Sequence, residues 1–335
     1  MTLYKCYKKP SLKAWRGRID DPKDPLSWRL HQIIEPINLL KDQGPVKKGF
    51  ALLGYACDEG VRRNLGRTGA KLGPAAIRRA MASLPVPNSK NFTLYDTGDI
   101  ICRGKKLELS QSALKDAIFN LLQKGVFPIV LGGSHDLSYG HFAGLLAGSR
   151  AKLFEKPINH IGIINFDAHF DLRPHSDGSH SGSPFLQIAN DLNKQSLSFQ
   201  YLVLGIQNAS NTGALFETAN QLGAHFVTAE ETNLQPLEDI KGLVQRFIDQ
   251  TDAIYLTFCL DALPASVAPG VSAPNPYGLN PQRSLSLFKH IVTSGKVIGF
   301  DVAEMSPPYD IDNHTAKFAA YLIFELLSTI KCNQL

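Results

Sequence analysis

The chain predicts an α/β protein with a mostly parallel sheet covered by helices on both faces. Three observations carry this. Its apolar runs are continuous, as at the start of the stretch from Ile161 to Arg173, where a strand exposed on one face would alternate. These runs alternate along the chain with amphipathic stretches of helical period, the pattern of repeated βαβ units. Several runs also end abruptly in ionisable residues, and open α/β sheets place their chemistry beyond the carboxyl ends of strands.

The strands expected in order are Gly49 to Cys57, Phe92 to Asp96, Val126 to Gly132, His160 to Asp167, Tyr201 to Gly205, His225 to Thr228, Ala253 to Leu260 and Val297 to Asp301. Between them the spacing predicts helices at Pro74 to Ser83, Leu107 to Lys124, Ser138 to Ala147, Gly213 to Leu222, Pro236 to Gln250, Pro281 to Thr293 and Thr315 to Lys331. Residues 1–45 are mixed and proline-punctuated, so irregular structure or short helices packed on the main body are expected there. No repeat, low-complexity segment or linker interrupts the 335 residues, which predicts a single domain.

Composition narrows the function classes. A hydrophobic content of 44% is ample for a large core and excludes a disordered chain. The net charge of +5, from 35 basic against 30 acidic residues, is spread without a basic block, which argues against nucleic acid and fits a small anionic substrate. Five cysteines form no CxxC pair, so neither a disulfide framework nor a structural zinc site is expected, and a reducing cytoplasm fits best. No stretch reaches the roughly 18 apolar residues of a membrane span, and the N-terminal stretch lacks the apolar core of a signal peptide.

The chemistry concentrates at four strand ends. In NFDAHFDLR, Asp167, His169 and Asp171 alternate with Ala168 and Phe170, so an extended chain would turn all three towards one pocket. PIVLGGSHD offers His135 after a Gly-Gly turn, TFCLDALP offers Cys259 and Asp261, and GFDVAEMSPPYD offers Asp301 and Glu304. Taken alone, a histidine at a helix mouth is more often a cap, and a lone glutamate more often a solvated charge. Together, His135, Asp167, His169, Asp171, Cys259 and Asp261 are too many donors for one tetrahedral zinc and suit two divalent ions. Such a pair, about 3.5 to 4 Å apart, activates water for hydrolysis without an organic cofactor.

GGSHD, NFDAHFD, CLDALPASVAPGVSAP and FDVAEMSPPYD, in this order, resemble the ureohydrolase family of arginase, agmatinase and formimidoylglutamase. The likeness spans roughly residues 50 to 330. CDEGVRRNLGRTGAKLGPAAIRRAM, SGSPFLQI and APGVSAP look most like the formimidoylglutamase branch. The resemblance implies a three-layer α/β/α fold with a mostly parallel eight-stranded sheet, and a two-manganese site. It implies His135, Asp167, Asp171 and Cys259 around one ion, and Asp167, His169, Cys259 and Asp261 around the other. Glu304 falls where the family grips a cationic amidine or guanidine, and homo-oligomers are common among relatives.

Three departures bear on this. Ser134 stands where arginases carry aspartate, and Phe185 where they carry a proton-shuttling histidine, which argues against arginase itself. Cys259 stands where the family usually has aspartate; a thiolate is a softer donor, favouring Zn2+ or Fe2+ over Mn2+.

The implied reaction is hydrolysis of N-formimino-L-glutamate to L-glutamate and formamide. Asp171 would relay a proton to the departing amine, and Arg173, with Arg67, would bind carboxylates through a bidentate fork. Arg62 and Arg63 are further candidates. The alternatives are an agmatinase or guanidino-acid ureohydrolase releasing urea, and a metal-binding protein without catalysis.

Overall fold

The computed structural model describes residues 2–41, 44, 46–87 and 93–330. Ten strands form one sheet: β1 Tyr7–Lys8, β2 Glu35–Pro36, β3 Gly49–Ala56, β4 Leu94–Ile101 and β5 Val126–Leu131. They continue as β6 Ile161–Phe166, β7 Tyr201–Ile206, β8 His225–Thr228, β9 Ala253–Cys259 and β10 Val297–Ala303. The order across the sheet is β1-β4-β3-β5-β10-β9-β6-β7-β8, with β2 also pairing β4. Only β1 runs antiparallel to its neighbour.

All eight expected strands are present, and two strands of two residues each are added from the N-terminal segment. The expected start of one strand, Phe92, lies outside the described residues, as does the end of the last helix, Lys331, and Cys332. The seven expected helices form within a few residues of their expected ends. Helices at Glu59–Arg63, Pro184–Asn193 and Ala229–Leu234 are additional.

Both faces of the sheet are covered, as the continuous apolar runs require. Along β3, Phe50 and Leu52 join one buried cluster while Ala51, Leu53 and Tyr55 join the other. The period-2 alternation therefore divides hydrophobic residues between two cores, with no polar face left over. The N-terminal segment feeds both cores, through Trp15, Leu30 and Ile34 on one side and Leu3, Tyr7 and Ile37 on the other. Trp15 also donates its indole N–H to Asp96 at 2.7 Å. Asp96 and Asp99 share the buried Arg78 guanidinium at 3.0 and 2.6 Å. Burying the guanidinium is tolerable because two carboxylates and the Gly98 carbonyl satisfy it.

Four consecutive neighbours at the centre, β5, β10, β9 and β6, are the strands whose ends carry the ionisable residues. All four are parallel, and their last residues are level: Val302 pairs Leu131, Ala303 pairs Cys259, and Phe166 pairs Phe258. Parallel pairing thus brings segments far apart in the chain to one edge. Among the described residues, the cysteines at 6, 57, 102 and 259 are free thiols, and no helix is long and apolar enough to cross a membrane.

Candidate metal centre

After β5 the chain turns through Gly132 and Gly133. The Gly133 N–H donates to the Tyr55 carbonyl at 3.2 Å, and a Cβ on Gly133 would stand 2.2 Å from that oxygen. Only glycine fits this approach, which carries His135 over the edge of the sheet. Glu304 follows β10 directly. Its backbone N–H donates to the Gly133 carbonyl at 2.7 Å, while its Oε1 accepts the His135 N–H at 2.8 Å. The two loops are therefore fastened to each other across β5 and β10.

Two groups of candidate donors result, and they share Asp167. His135, Asp167 and Cys259 form one, Asp167, His169 and Asp261 the other, each with ligand atoms within 4.8 Å of one another. His135 Nδ1 lies 3.0 Å from an oxygen of Asp167 and 3.0 Å from one of Asp171. It makes no hydrogen bond to either and is buried without a partner, as is Asp261 Oδ1. A buried ring nitrogen facing two carboxylates at that distance is the arrangement a cation completes, so the donor set fits a pair of divalent ions. His169 Nδ1 stands between Asp261 at 3.3 Å and Asp167 at 3.4 Å.

Asp167, His169 and Asp171 were expected to line one face of an extended chain. β6 instead ends at Phe166, and the residues beyond it leave the strand. Asp171 takes a left-handed backbone, φ 50°, that turns it towards His135, whereas His169 faces Asp261. The two therefore flank Asp167 on opposite sides, which is why it can belong to both groups. Likewise β9 ends at Cys259, and Asp261 sits in a short 3-10 turn, Leu260–Ala262. Glu304 is also left-handed, φ 69°, a conformation disfavoured for a β-carbon side chain and held here by the hydrogen bonds to Gly133 and His135.

Burial and mutual repulsion set the protonation of these groups. Burial pushes Asp171 up to about 6, reinforced by the charge on Asp167 and opposed by His135. Burial, then Asp261, raises Glu304 to about 8. Burial likewise raises the Cys259 thiol well above its ordinary range, with Asp167 and Asp261 adding to it. Burial works against ionisation of Asp167, but the imidazoles of His135 and His169 outweigh it and hold its pKa below the usual carboxylate range. Such crowding of anionic groups is relieved by bound cations.

A stability prediction follows for the metal-free protein. Glu304 is harder to ionise in the folded chain, about 8, than in the unfolded one, 4.5. Its contribution is therefore full below pH 4.5 and is lost as pH rises through about 8. Glu304→Gln keeps an acceptor for the His135 N–H and cannot ionise. Its stability relative to the parent should grow between those limits, read by urea unfolding near each. A constant difference would mean that no ionisation penalty resides at this residue.

The other sequence candidates separate by their partners. Arg62 pairs with Glu59 through Nε and Nη2, both at 2.6 Å, and Arg63 bridges Glu59 and Glu108. Arg67 donates from Nε and Nη2 to the carbonyls of Ser272 and Val271 and lies 4.0 Å over the Tyr309 ring. It thus joins the CDEG, APGVSAP and SPPYD segments, and among the described residues Nη1 makes no hydrogen bond. Arg173 is exposed, its N–H tied to the Gly182 carbonyl at 2.8 Å. Among the described residues its guanidinium has no ion-pair partner. Ser134 turns its hydroxyl to Asp136 and its N–H to the Cys57 carbonyl, away from the donor groups.

Phe185 is fully buried at the start of helix Pro184–Asn193, stacked on Tyr201 and edge-on to His135. It packs the wall behind that imidazole. Sequence reasoning missed Asn165, whose amide donates to Asp167 at 3.1 Å and to the Tyr201 hydroxyl at 3.0 Å. A lone polar residue inside an apolar strand, two places before Asp167, was the available signal. Thr257, two places before Cys259, carries the same signal and contacts His135 Nε2 at 3.0 Å.

A parallel sheet whose four central strand ends gather two donor groups around one shared aspartate defines an α/β protein with a binuclear cation centre. The arginase family model matches residues 48–328. The chain belongs to the arginase family. It is 43% identical to the formimidoylglutamase of Clostridium tetani over 328 residues, 97% of this chain and 96% of that one. Among solved structures, Bacillus subtilis formimidoylglutamase superposes with a TM-score of 0.79 at 24% identity, covering 93% of this chain and 94% of that one. Trypanosoma cruzi formiminoglutamase with Mn2+2 superposes with a TM-score of 0.73 at 27% identity, covering 88% and 98%.

Proposed function

We propose that this chain hydrolyses N-formimino-L-glutamate to L-glutamate and formamide, using two divalent ions, Mn2+ in the first place. The observation that carries the reading is the pair of donor groups sharing Asp167, with the Glu304 carboxylate tied to the His135 N–H beside them, in a chain whose relatives of more than 40% identity are formimidoylglutamases. His135, Asp167, Asp171 and Cys259 would hold one ion, and Asp167, His169, Cys259 and Asp261 the other. When bound, such a pair makes water a competent nucleophile near neutral pH.

The remaining work falls to side chains. Glu304, buried and tied to the His135 N–H, offers its free oxygen to the cationic amidine; a desolvated counter-ion of this kind restores its ionisation. Asp171, 3.0 Å from His135 at the edge of the centre, would take a proton from the nucleophile and pass it to the departing amine. Arg173 receives a substrate carboxylate, because its fork is uncommitted just beyond the metal strand. Arg67 serves the same end indirectly, by holding the Val271–Ser272 loop, and through its free Nη1. A single domain, a cytoplasmic setting and a homo-oligomeric state complete the proposal.

The test is to incubate manganese-reconstituted protein with formiminoglutamate, agmatine, arginine and guanidinobutyrate and to separate formamide from urea. Formamide from the first substrate supports the reading. Urea from any of the others replaces it with a guanidino hydrolase, and metal binding without turnover replaces it with a binding protein. Within the reading, Arg173→Ala should lower kcat/KM by roughly ten- to two-hundred-fold, the loss of a charge-assisted pair of about 1.5 to 3 kcal/mol. Metal content should stay unchanged. An unaltered kcat/KM would return Arg173 to the surface.

A further inference from the structure

Behind His135, on the side away from the carboxylates, lies a buried chain of hydrogen bonds. His135 Nε2 is 3.0 Å from the hydroxyl of Thr257. That hydroxyl is 2.5 Å from Asp301 Oδ1, while Asp301 Oδ2 takes the Tyr255 hydroxyl at 2.5 Å and His141 Nδ1 at 2.7 Å. Thr257, Asp301, Tyr255 and His141 are all fully buried.

The direction of the protons follows from the donor inventory. A carboxylate can only accept, so the single O–H of Thr257 points to Asp301. Towards His135 the hydroxyl then has only lone pairs to offer, and the imidazole must be the donor, with its proton on Nε2. In the neutral ring this leaves Nδ1 bare. Nδ1 is the atom that faces Asp167 and Asp171 at 3.0 Å and has no hydrogen-bond partner.

We propose that Thr257 and Asp301 are positioning residues for the ion at His135. Asp301, through the Thr257 hydroxyl, fixes the Nε2–H form of His135 and aims Nδ1 at the cation. The inference rests on the two-ion reading of the centre and is independent of which amidine is hydrolysed. A network that only filled the core would affect the stability of the chain or the occupancy of both ions together. A positioning network acts on one ion, because His169 and Asp261 have no part in it.

The experiment measures both manganese affinities of the full chain by chelator competition, with His135→Asn and His169→Asn assigning the two binding steps. Thr257→Val removes the hydroxyl at nearly constant volume. It should weaken the ion at His135 by about 10- to 100-fold, leave the other ion unchanged, and be rescued by Thr257→Ser. Asp301→Asn keeps the volume but brings an amide that can donate to Thr257, turning the hydroxyl towards Nε2 and favouring the wrong tautomer. The same selective loss is expected. Wild-type affinity for both ions in both variants would overturn the proposal, as would equal loss of both ions. If Thr257→Val does not fold as metal-free protein, judged by near-UV circular dichroism, Asp301→Asn decides; failure of both to fold assigns the network to the core and also overturns it.

Discussion

Asp167→Ala is expected to abolish hydrolysis and to leave the protein unable to hold two ions, while the sheet remains folded. The reason is geometric. Asp167 is common to both donor groups, standing directly after β6 at the level of Cys259. Its two oxygens face different ways, Oδ2 towards His135 and Oδ1 towards His169. Removing it leaves each ion one donor short and removes the anion that keeps two cations tolerable side by side. The fold should survive, because Phe166, Ile164 and their neighbours in β6 carry the packing. Loss of turnover by several orders of magnitude with an unchanged far-UV spectrum is the expected outcome. Retention of more than about a tenth of the activity would remove Asp167 from the centre.

Cys259 gives the second large effect. Its thiol lies with His135 and Asp167 in one of the donor groups, fully enclosed at the end of β9. Burial and the carboxylates of Asp167 and Asp261 hold the thiol protonated in the metal-free chain. Ligation therefore releases a proton, and affinity should rise with pH. Cys259→Ala is expected to lose an ion, since one donor disappears while the repulsion between cations remains. Cys259→Asp is expected to bind two ions and to shift preference towards manganese, because a hard oxygen replaces a soft sulfur. If Cys259→Ala binds two manganese ions with undiminished affinity and turns over normally, the thiol is a bystander.

The central strands were legible because each is a continuous apolar run, a pattern that a sheet covered on both faces imposes on its own residues. The strands Tyr7–Lys8 and Glu35–Pro36 were not, since their pairing comes from the edge of β4 and not from a pattern of their own; Glu35 and Pro36 are both exposed. Helix Pro184–Asn193 was hidden by the Ser-Gly-Ser-Pro stretch before it, which reads as loop although proline suits the first turn of a helix.

The candidate site divides in the same way. Alternation holds as far as β6 is extended, up to Phe166, and would have placed the overlooked Asn165 on the side of Asp167. Beyond the strand it fails, since the left-handed turn at Asp171 is a property of the folded loop. The commitments of Arg63 and Arg67 were equally invisible, because their partners at Glu108, Val271 and Ser272 come from other parts of the chain, whereas Arg62 pairs locally with Glu59.

The most direct test of the centre is to titrate the metal-free chain with manganese and follow bound metal together with its electron paramagnetic resonance. Two donor groups joined by one aspartate predict two ions per chain and the spectrum of an exchange-coupled pair, lost in Asp167→Ala. One ion per chain, or two ions with independent spectra, would contradict a centre built around a shared Asp167.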